Sequence, residues 1–141
     1  MSVLITYWSM TGNTKIMAEA IFEGVKTINE DVTIKSVDEI NPREINKFEK
    51  ILFGSPAMGF EELDQDFYIP WYEIAEKSLT NQLIGLFGSF GWGDGEWLKK
   101  WEKRIRKNKL NLFEKSLKVN TVYIEECYQE CFNFGVLFAK K

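Results

Sequence analysis

The segment WSMTGNT, residues 8–14, separates a short apolar run from an amphipathic stretch. The apolar run VLITYW, residues 3–8, ends at the first residue of this segment. It has the length and composition of a buried strand. The stretch after it places apolar side chains on one stripe at helical spacing: Ile16, Met17, Ala20, Ile21, Gly24 and Val25. The segment therefore predicts a polar loop between a strand and a helix start, an arrangement that can bind a phosphate.

The same alternation continues to the end of the chain. Strands are predicted at residues 3–8, 31–37, 50–55, 82–89 and 117–124. Helices are predicted at residues 15–28, 66–77, 96–108 and 125–141, with a short turn near residues 42–48. Several strands carry apolar residues on both faces, which is typical of parallel strands covered by helices on each side. We predict one domain over residues 1–141, of class α/β, with a doubly wound five-stranded parallel sheet in three α/β/α layers.

Composition excludes several classes of function. The chain has no histidine, which excludes Ser–His and Cys–His nucleophile pairs and imidazole proton transfer. A net charge of −3 disfavours nucleic acid as a partner. No apolar run approaches the roughly 20 residues of a membrane span, and no signal-peptide pattern is present, so we predict a cytoplasmic protein. Cys127 and Cys131 are too few for a zinc site and, one helical turn apart, too distant for a disulfide, so we predict reduced thiols and no metal.

Sheets of this class bind ligands outside the carboxyl ends of their strands, where the strand order reverses. The loop after the first strand offers hydroxyls and backbone N–H groups at a helix N-terminus. It lacks both the Gly-Lys-Ser/Thr ending of a Walker A loop and the Gly-x-Gly-x-x-Gly pattern of dinucleotide sites. A phosphate cradle is the favoured interpretation, and a helix cap without a ligand is the alternative.

Two further loops follow the third and fourth predicted strands. The first of them contains Met58, an apolar and polarizable side chain where a polar turn is usual. The second has four glycines around Trp92, which suits a backbone that approaches a flat ligand with an indole as a stacking wall. Loop packing for Met58 and core capping for Trp92 are the alternatives. Together the three loops predict a site for a phosphorylated planar heterocycle.

These motifs resemble the flavodoxins, small electron carriers that bind FMN, and in particular their short-chain, clostridial-type branch. The resemblance rests on Tyr7-Trp8-Ser9-x-Thr11-Gly12-Asn13-Thr14, on Ala57-Met58-Gly59, and on Leu86-Phe87-Gly88-Ser89-x-Gly91-Trp92-Gly93. It implies a flavodoxin-like fold and a low-potential one-electron carrier, rather than an enzyme, with non-covalent FMN as its cofactor. Met10 and Phe60 depart from the family pattern, which commonly has glycine at the first position and a small or acidic residue at the second.

The resemblance also implies site residues. The phosphate would lie among Ser9, Met10, Thr11, Gly12, Asn13 and Thr14. The ring would contact the second loop, at Pro56, Ala57, Met58, Gly59, Phe60 and Glu61, and the third, at Ser89, Phe90, Gly91, Trp92 and Gly93. Met58 would cover the inner face and Trp92 the outer face, while the Glu61 carboxylate would accept from the flavin N3–H. Backbone N–H groups of Gly91 and Trp92 would meet the pyrimidine edge, and Asn120 would reach the ribityl chain.

Charge is distributed unevenly along the sequence. Residues 61–76 hold six acids and no base, whereas residues 99–109 hold seven bases and one acid. We predict a monomer whose acidic rim around the flavin attracts basic redox partner proteins. The basic run is a solvated helix face or a second docking surface. Three other functions stay open: a flavin-dependent quinone or azo reductase, a ribonucleotide-reductase-activating flavodoxin-like protein, and a flavin-free receiver-type module.

Overall fold

The computed structural model describes residues 2–58 and 62–141, and in these residues six strands alternate with four α-helices. The elements are β1 Val3–Tyr7, α1 Asn13–Lys26, β2 Val32–Ser36, β3 Lys50–Gly54, α2 Tyr68–Lys77, β4 Leu83–Phe90, α3 Glu96–Lys107, β5 Asn111–Leu112, β6 Leu117–Asn120 and α4 Tyr128–Lys140. Short 3₁₀ helices lie at Val37–Glu39, Pro42–Lys47 and Thr121–Glu126. No helix in the described part of the chain is long and apolar enough to cross a lipid bilayer.

The sheet is parallel throughout, in the order β2-β1-β3-β4, with β5 and β6 both paired to β4. β5 pairs with the start of β4, at Leu83 and Ile84, and β6 pairs with its end, at residues 87–90. β5 and β6 are therefore two parts of a single fifth position, and the predicted doubly wound five-stranded sheet is confirmed. The strand order reverses between β1 and β3, so ligand-binding loops are expected at the carboxyl ends of these strands.

Helices cover both faces of the sheet. α1 and α4 pack on one face with a mainly aliphatic core, while α2 and α3 pack on the other with a core rich in aromatic side chains. α1 and α4 approach each other closely because glycines face the partner helix. A Cβ at Gly24 would lie 2.0 Å from the carbonyl oxygen of Phe132, and one at Gly135 would lie 2.3 Å from that of Ile21. Any larger residue at either position would separate the two helices.

The boundaries differ from the sequence prediction near the C-terminus. The predicted strand 117–124 ends at Asn120, whose side-chain oxygen accepts a hydrogen bond from the N–H of Val122 (3.0 Å) and caps the following 3₁₀ helix. The last helix consequently begins at Tyr128 and not at residue 125. The two residues of β5 were not predicted, because a strand this short has no hydrophobic period. Cys127 and Cys131 are both free and buried.

Candidate functional site

The loop between β1 and α1 closes around a serine hydroxyl. Ser9 Oγ accepts hydrogen bonds from the backbone N–H groups of Gly12 (3.1 Å) and Lys15 (3.4 Å). Gly12 is the N-cap of α1 at φ 96°, it contributes no side-chain cap, and the first turn contains no acid. Backbone N–H groups at the positive end of the helix thus converge on one oxygen atom, as they do around a phosphate oxygen. The residues present therefore fit a phosphate.

Two of the predicted ligand residues bond to each other. Thr14 Oγ1 and Ser89 Oγ lie 2.9 Å apart, and each residue is only about 1% exposed. This contact ties the first turn of α1 to the end of β4. At the outer surface of the same loop, Thr11 and Met10 are exposed, and Met10 keeps 67% of its surface in solvent.

A backbone hydrogen bond joins the second loop to the end of β4. The N–H of Ala57 donates to the carbonyl oxygen of Ser89 (2.9 Å), and the carbonyl oxygen of Pro56 accepts from Ser55 Oγ (3.2 Å). Met58 and Glu62 form an antiparallel bridge with reciprocal N–H···O bonds of 2.7 and 2.9 Å. Met58 is half-buried. Three predicted site residues, Gly59, Phe60 and Glu61, lie outside the described residues.

The third loop, residues 91–95, presents Trp92 to solvent. Its side chain is 65% exposed, and the adjacent Gly93 has φ 82°. The ring of Phe90 packs against Trp97 at a centroid distance of 5.6 Å. Asn120 of β6 pairs with Phe90 of the neighbouring strand β4. Its side-chain oxygen caps the 3₁₀ helix that follows β6.

Sequence reasoning missed the role of Lys118. Its ammonium donates a hydrogen bond to the carbonyl oxygen of Asp94 (2.7 Å), within the loop that carries Trp92. The only signal in the sequence was its place two residues before Asn120.

The acids of residues 61–76 do not all form a solvent-facing rim. The Asp64 carboxylate is buried and accepts from the N–H groups of Phe67 (2.6 Å) and Tyr68 (2.9 Å), so it caps α2. Glu76 makes a two-pronged bond to Arg104 of α3, with contacts of 2.9 to 3.0 Å. Among the described residues of this run, the exposed acids are Glu62, Asp66 and Glu73.

Arg104 also belongs to the predicted basic run, but it turns inward. Its guanidinium lies 5.1 Å from the centre of the Tyr72 ring as well as bonding Glu76. Burial works to lower the pKa of Arg104, but the bond to Glu76 outweighs it and the pKa is raised. The remaining bases of α3 face solvent: Lys99, Lys100, Lys103, Arg106 and Lys107.

A cavity of about 570 Å³ opens beside the first loop, on the side of β2. Its lining includes the aromatic side chains of Tyr7, Trp8, Phe67 and Trp71, together with Ser9 and Lys15. The indole N–H of Trp71 donates to the carbonyl oxygen of Ile40 (3.0 Å), which fixes that ring. Neither Met58 nor Trp92 lines this cavity, so the cavity does not include the two side chains that are predicted to cover the ring.

The described site offers backbone N–H groups, hydroxyls, a thioether and an exposed indole. These groups can hold an anion and cover a flat ring. Its chemistry would come from the bound molecule, because the groups brought together bind and orient rather than transfer protons or attack carbon.

Comparison with known proteins shows that the sequence and the structure of this chain are similar to those of one protein family. A family model described as flavodoxin matches residues 5–135. The flavodoxin of Clostridium beijerinckii is 35% identical over 131 residues, covering 93% of this chain and 94% of that protein. The flavodoxin of Megasphaera elsdenii is 41% identical over 102 residues, covering 72% and 74%. The solution structure of its two-electron reduced form superposes with a TM-score of 0.86 at 34% identity, over 99% of both chains.

Proposed function

The chain belongs to the flavodoxin family, and we propose that it carries single electrons at low potential between redox enzymes on a non-covalently bound FMN. The observation that supports this most directly is the convergence of the Gly12 and Lys15 N–H groups on one oxygen, beside a loop that exposes Trp92. FMN supplies the one-electron chemistry, while the protein supplies binding, orientation and electrostatics.

The first loop would hold the phosphate with neutral groups. The N–H groups that now donate to Ser9 Oγ would donate to phosphate oxygens, and the hydroxyls of Ser9 and Thr11 and the amide of Asn13 would add further donors. Thr14 bonds Ser89 and is buried, so it would act mainly by holding the loop against β4. An anion bound in this way is fixed by dipoles rather than by a paired cation.

Met58 and Trp92 would cover the two faces of the ring. Trp92 leaves most of its indole in water, and covering it with a planar ligand removes apolar surface from solvent and adds stacking. The backbones of Gly91 and Gly93 flank the indole and allow close approach of the ring edge. Asn120 uses Oδ1 as a cap, so its Nδ2 would donate to the ribityl chain. The roles implied for Gly59, Phe60 and Glu61 stay predictions.

Basic redox proteins would dock at the carboxyl end of the sheet. Glu62, Asp66 and Asp94 are exposed on the second and third loops there, and such a field steers positively charged partners toward Trp92. With Asp64 and Glu76 engaged inside the protein, the attraction should be weaker than six free carboxylates would give. The single domain, the monomeric state and the cytoplasmic location stay predictions.

Titration of the purified chain with FMN tests the proposal. We expect quenching of flavin fluorescence with one FMN per chain, and two separate one-electron steps when the complex is reduced with dithionite. A chain that leaves FMN fluorescence unchanged would contradict FMN binding. Steady oxidation of NADPH with a quinone by the chain alone would instead favour the reductase.

A further inference from the structure

A lysine on β6 reaches into the loop that carries Trp92. Lys118 pairs with Gly88 of β4 in the sheet, two residues before that strand ends. The ammonium of Lys118 donates to the carbonyl oxygen of Asp94 at 2.7 Å. The bond therefore connects the end of the loop that precedes α3 with β6, the strand that pairs with β4 where the loop begins.

Two further contacts accompany the hydrogen bond of Lys118. The ammonium lies 5.9 Å from the centre of the Phe90 ring. A Cβ built at Gly95 would lie 2.8 Å from both Cδ and Nζ, so the stem rests directly on the Gly95 backbone. An exposed lysine without a function usually samples many rotamers, whereas this one contacts a carbonyl, a ring and a glycine at once.

The loop needs such a tether because its own backbone is permissive. Gly91, Gly93 and Gly95 alternate along it, and the last two have φ of 82° and 99°. Trp92 and Asp94 stand exposed between them. Glycines increase the number of conformations that the free loop can sample. A ligand that fixes Trp92 must exclude the other conformations, and this loss of entropy weakens binding.

We propose that Lys118 is a positioning residue that holds the Trp92 loop in the conformation that accepts the flat ring of the cofactor. The proposal rests on the proposed FMN function. Lys118 acts in two ways: its bond to Asp94 lowers the ordering cost of binding, and its charge is fixed two residues from Trp92 in a rim that otherwise exposes acids. Its loss should therefore weaken FMN binding and move the reduction midpoint of the holoprotein to a more negative value.

Three variants separate these effects from net charge. Lys118→Met keeps the stem and removes the ammonium, and Lys118→Arg restores a charged donor. Lys115→Met is the matched control, since Lys115 is exposed three residues earlier and its loss changes the net charge equally. We expect FMN to bind roughly fivefold more weakly to Lys118→Met and within about twofold of wild type to the other two. The urea midpoint of the FMN-free Lys118→Met chain should match wild type, because the side chain is exposed.

A second measurement needs no FMN. In chains labelled with 5-fluorotryptophan, the ¹⁹F resonance of Trp92, assigned with Trp92→Phe, should shift and narrow in Lys118→Met but not in Lys115→Met. Equal FMN affinity and an unchanged Trp92 resonance in Lys118→Met would overturn the tether. If Lys118→Met and Lys115→Met weakened FMN binding equally, the effect would come from net charge and not from the position of Lys118. Failure of the wild-type chain to bind FMN would overturn the proposed function, while the fluorine signal would still decide whether Lys118 orders the loop.

Discussion

The hydroxyl oxygens of Thr14 and Ser89 lie 2.9 Å apart in the protein interior, although 75 positions separate the two residues in the sequence. Thr14 belongs to the first turn of α1 and Ser89 to the end of β4. The contact thus fixes the distance between the phosphate loop and the strand that leads into the Trp92 loop. Since both residues are about 1% exposed, removing one hydroxyl leaves the other without its partner and away from water.

Ser89→Ala should lower the free energy of unfolding of the FMN-free chain by about 1–3 kcal/mol and weaken FMN binding. Urea unfolding and FMN titration measure the two effects. Ser78→Ala is the control, because Ser78 Oγ also donates one hydrogen bond, to the carbonyl oxygen of Ala75, but at the C-terminal end of α2. It should leave FMN affinity unchanged. Wild-type affinity in Ser89→Ala would show that the contact does not align the two loops.

The order of the strands and helices could be predicted because the buried strands are short apolar runs and the first helix repeats its apolar residues at helical spacing. The first loop was also readable, since Ser9, Gly12 and Thr14 are residue types that serve helix N-termini. The end of the fifth strand was not, because VYI at residues 122–124 has the composition of a strand, whereas the structure has a 3₁₀ helix there that is capped by Asn120. The strand propensity of these residues therefore did not decide their local structure.

The parts of the site that depend on long-range contacts were harder to predict. Sequence alone counted Asp64 and Glu76 as rim acids, but one caps α2 and the other binds Arg104. It also treated Arg104 as a base on a solvated face. The Glu76–Arg104 pair depends on which side chains face each other across α2 and α3, whereas the Asp64 cap is a local contact with residues three and four positions later. Composition reports how much charge a segment holds, and only packing determines how much of it reaches solvent.

Trp92→Ala should weaken FMN binding by about 30-fold, which corresponds to the loss of about 2 kcal/mol of stacking and apolar contact. Trp92→Phe keeps a flat ring and should stay within about fivefold of wild type. Because Trp92 is 65% exposed, neither variant should change the unfolding free energy of the FMN-free chain by more than about 0.5 kcal/mol. If Trp92→Ala bound FMN as tightly as wild type, Trp92 would not contact the cofactor.

Arg104→Met should destabilise the fold by about 2 kcal/mol, because the Glu76 carboxylate, only 11% exposed, loses its guanidinium partner. Lys103→Met removes the same charge from the exposed face of α3 and should cost less than about 0.5 kcal/mol. Urea unfolding of both variants, of Glu76→Gln and of Arg104→Met combined with Glu76→Gln measures the coupling between Arg104 and Glu76. If the two single arginine and lysine variants were equally stable, the α2–α3 pair would contribute nothing beyond net charge.

Stability should fall at alkaline pH through Cys131. Burial, and then the neighbouring Cys127 thiol, raises the pKa of Cys131 well above its ordinary value. Above about pH 8.5 the unfolded chain loses this proton while the folded chain keeps it, so the free energy of unfolding decreases as pH rises. Urea unfolding at pH 7.5 and 9.5 should show a larger decrease in wild type than in Cys131→Ala. Identical decreases would assign the effect to other groups.

Gly12→Ala isolates the cost of one backbone angle. Gly12 has φ 96°, a conformation that L side chains rarely adopt, yet a Cβ there would meet no atom within 4 Å. Any destabilisation of Gly12→Ala therefore comes from the backbone and should be about 1–2 kcal/mol. Gly12→Asn should lose less, because asparagine tolerates left-handed conformations better than alanine.

The same pair of variants tests how the first loop binds phosphate. If alanine relieves its strain by moving φ toward negative values, the N–H groups of Gly12 and Lys15 no longer converge as they now do on Ser9 Oγ. FMN affinity should then fall more in Gly12→Ala than in Gly12→Asn, and riboflavin, which lacks the phosphate, should bind both variants alike. An equal loss of riboflavin and FMN affinity in Gly12→Ala would show that the angle shapes the ring site rather than the phosphate site.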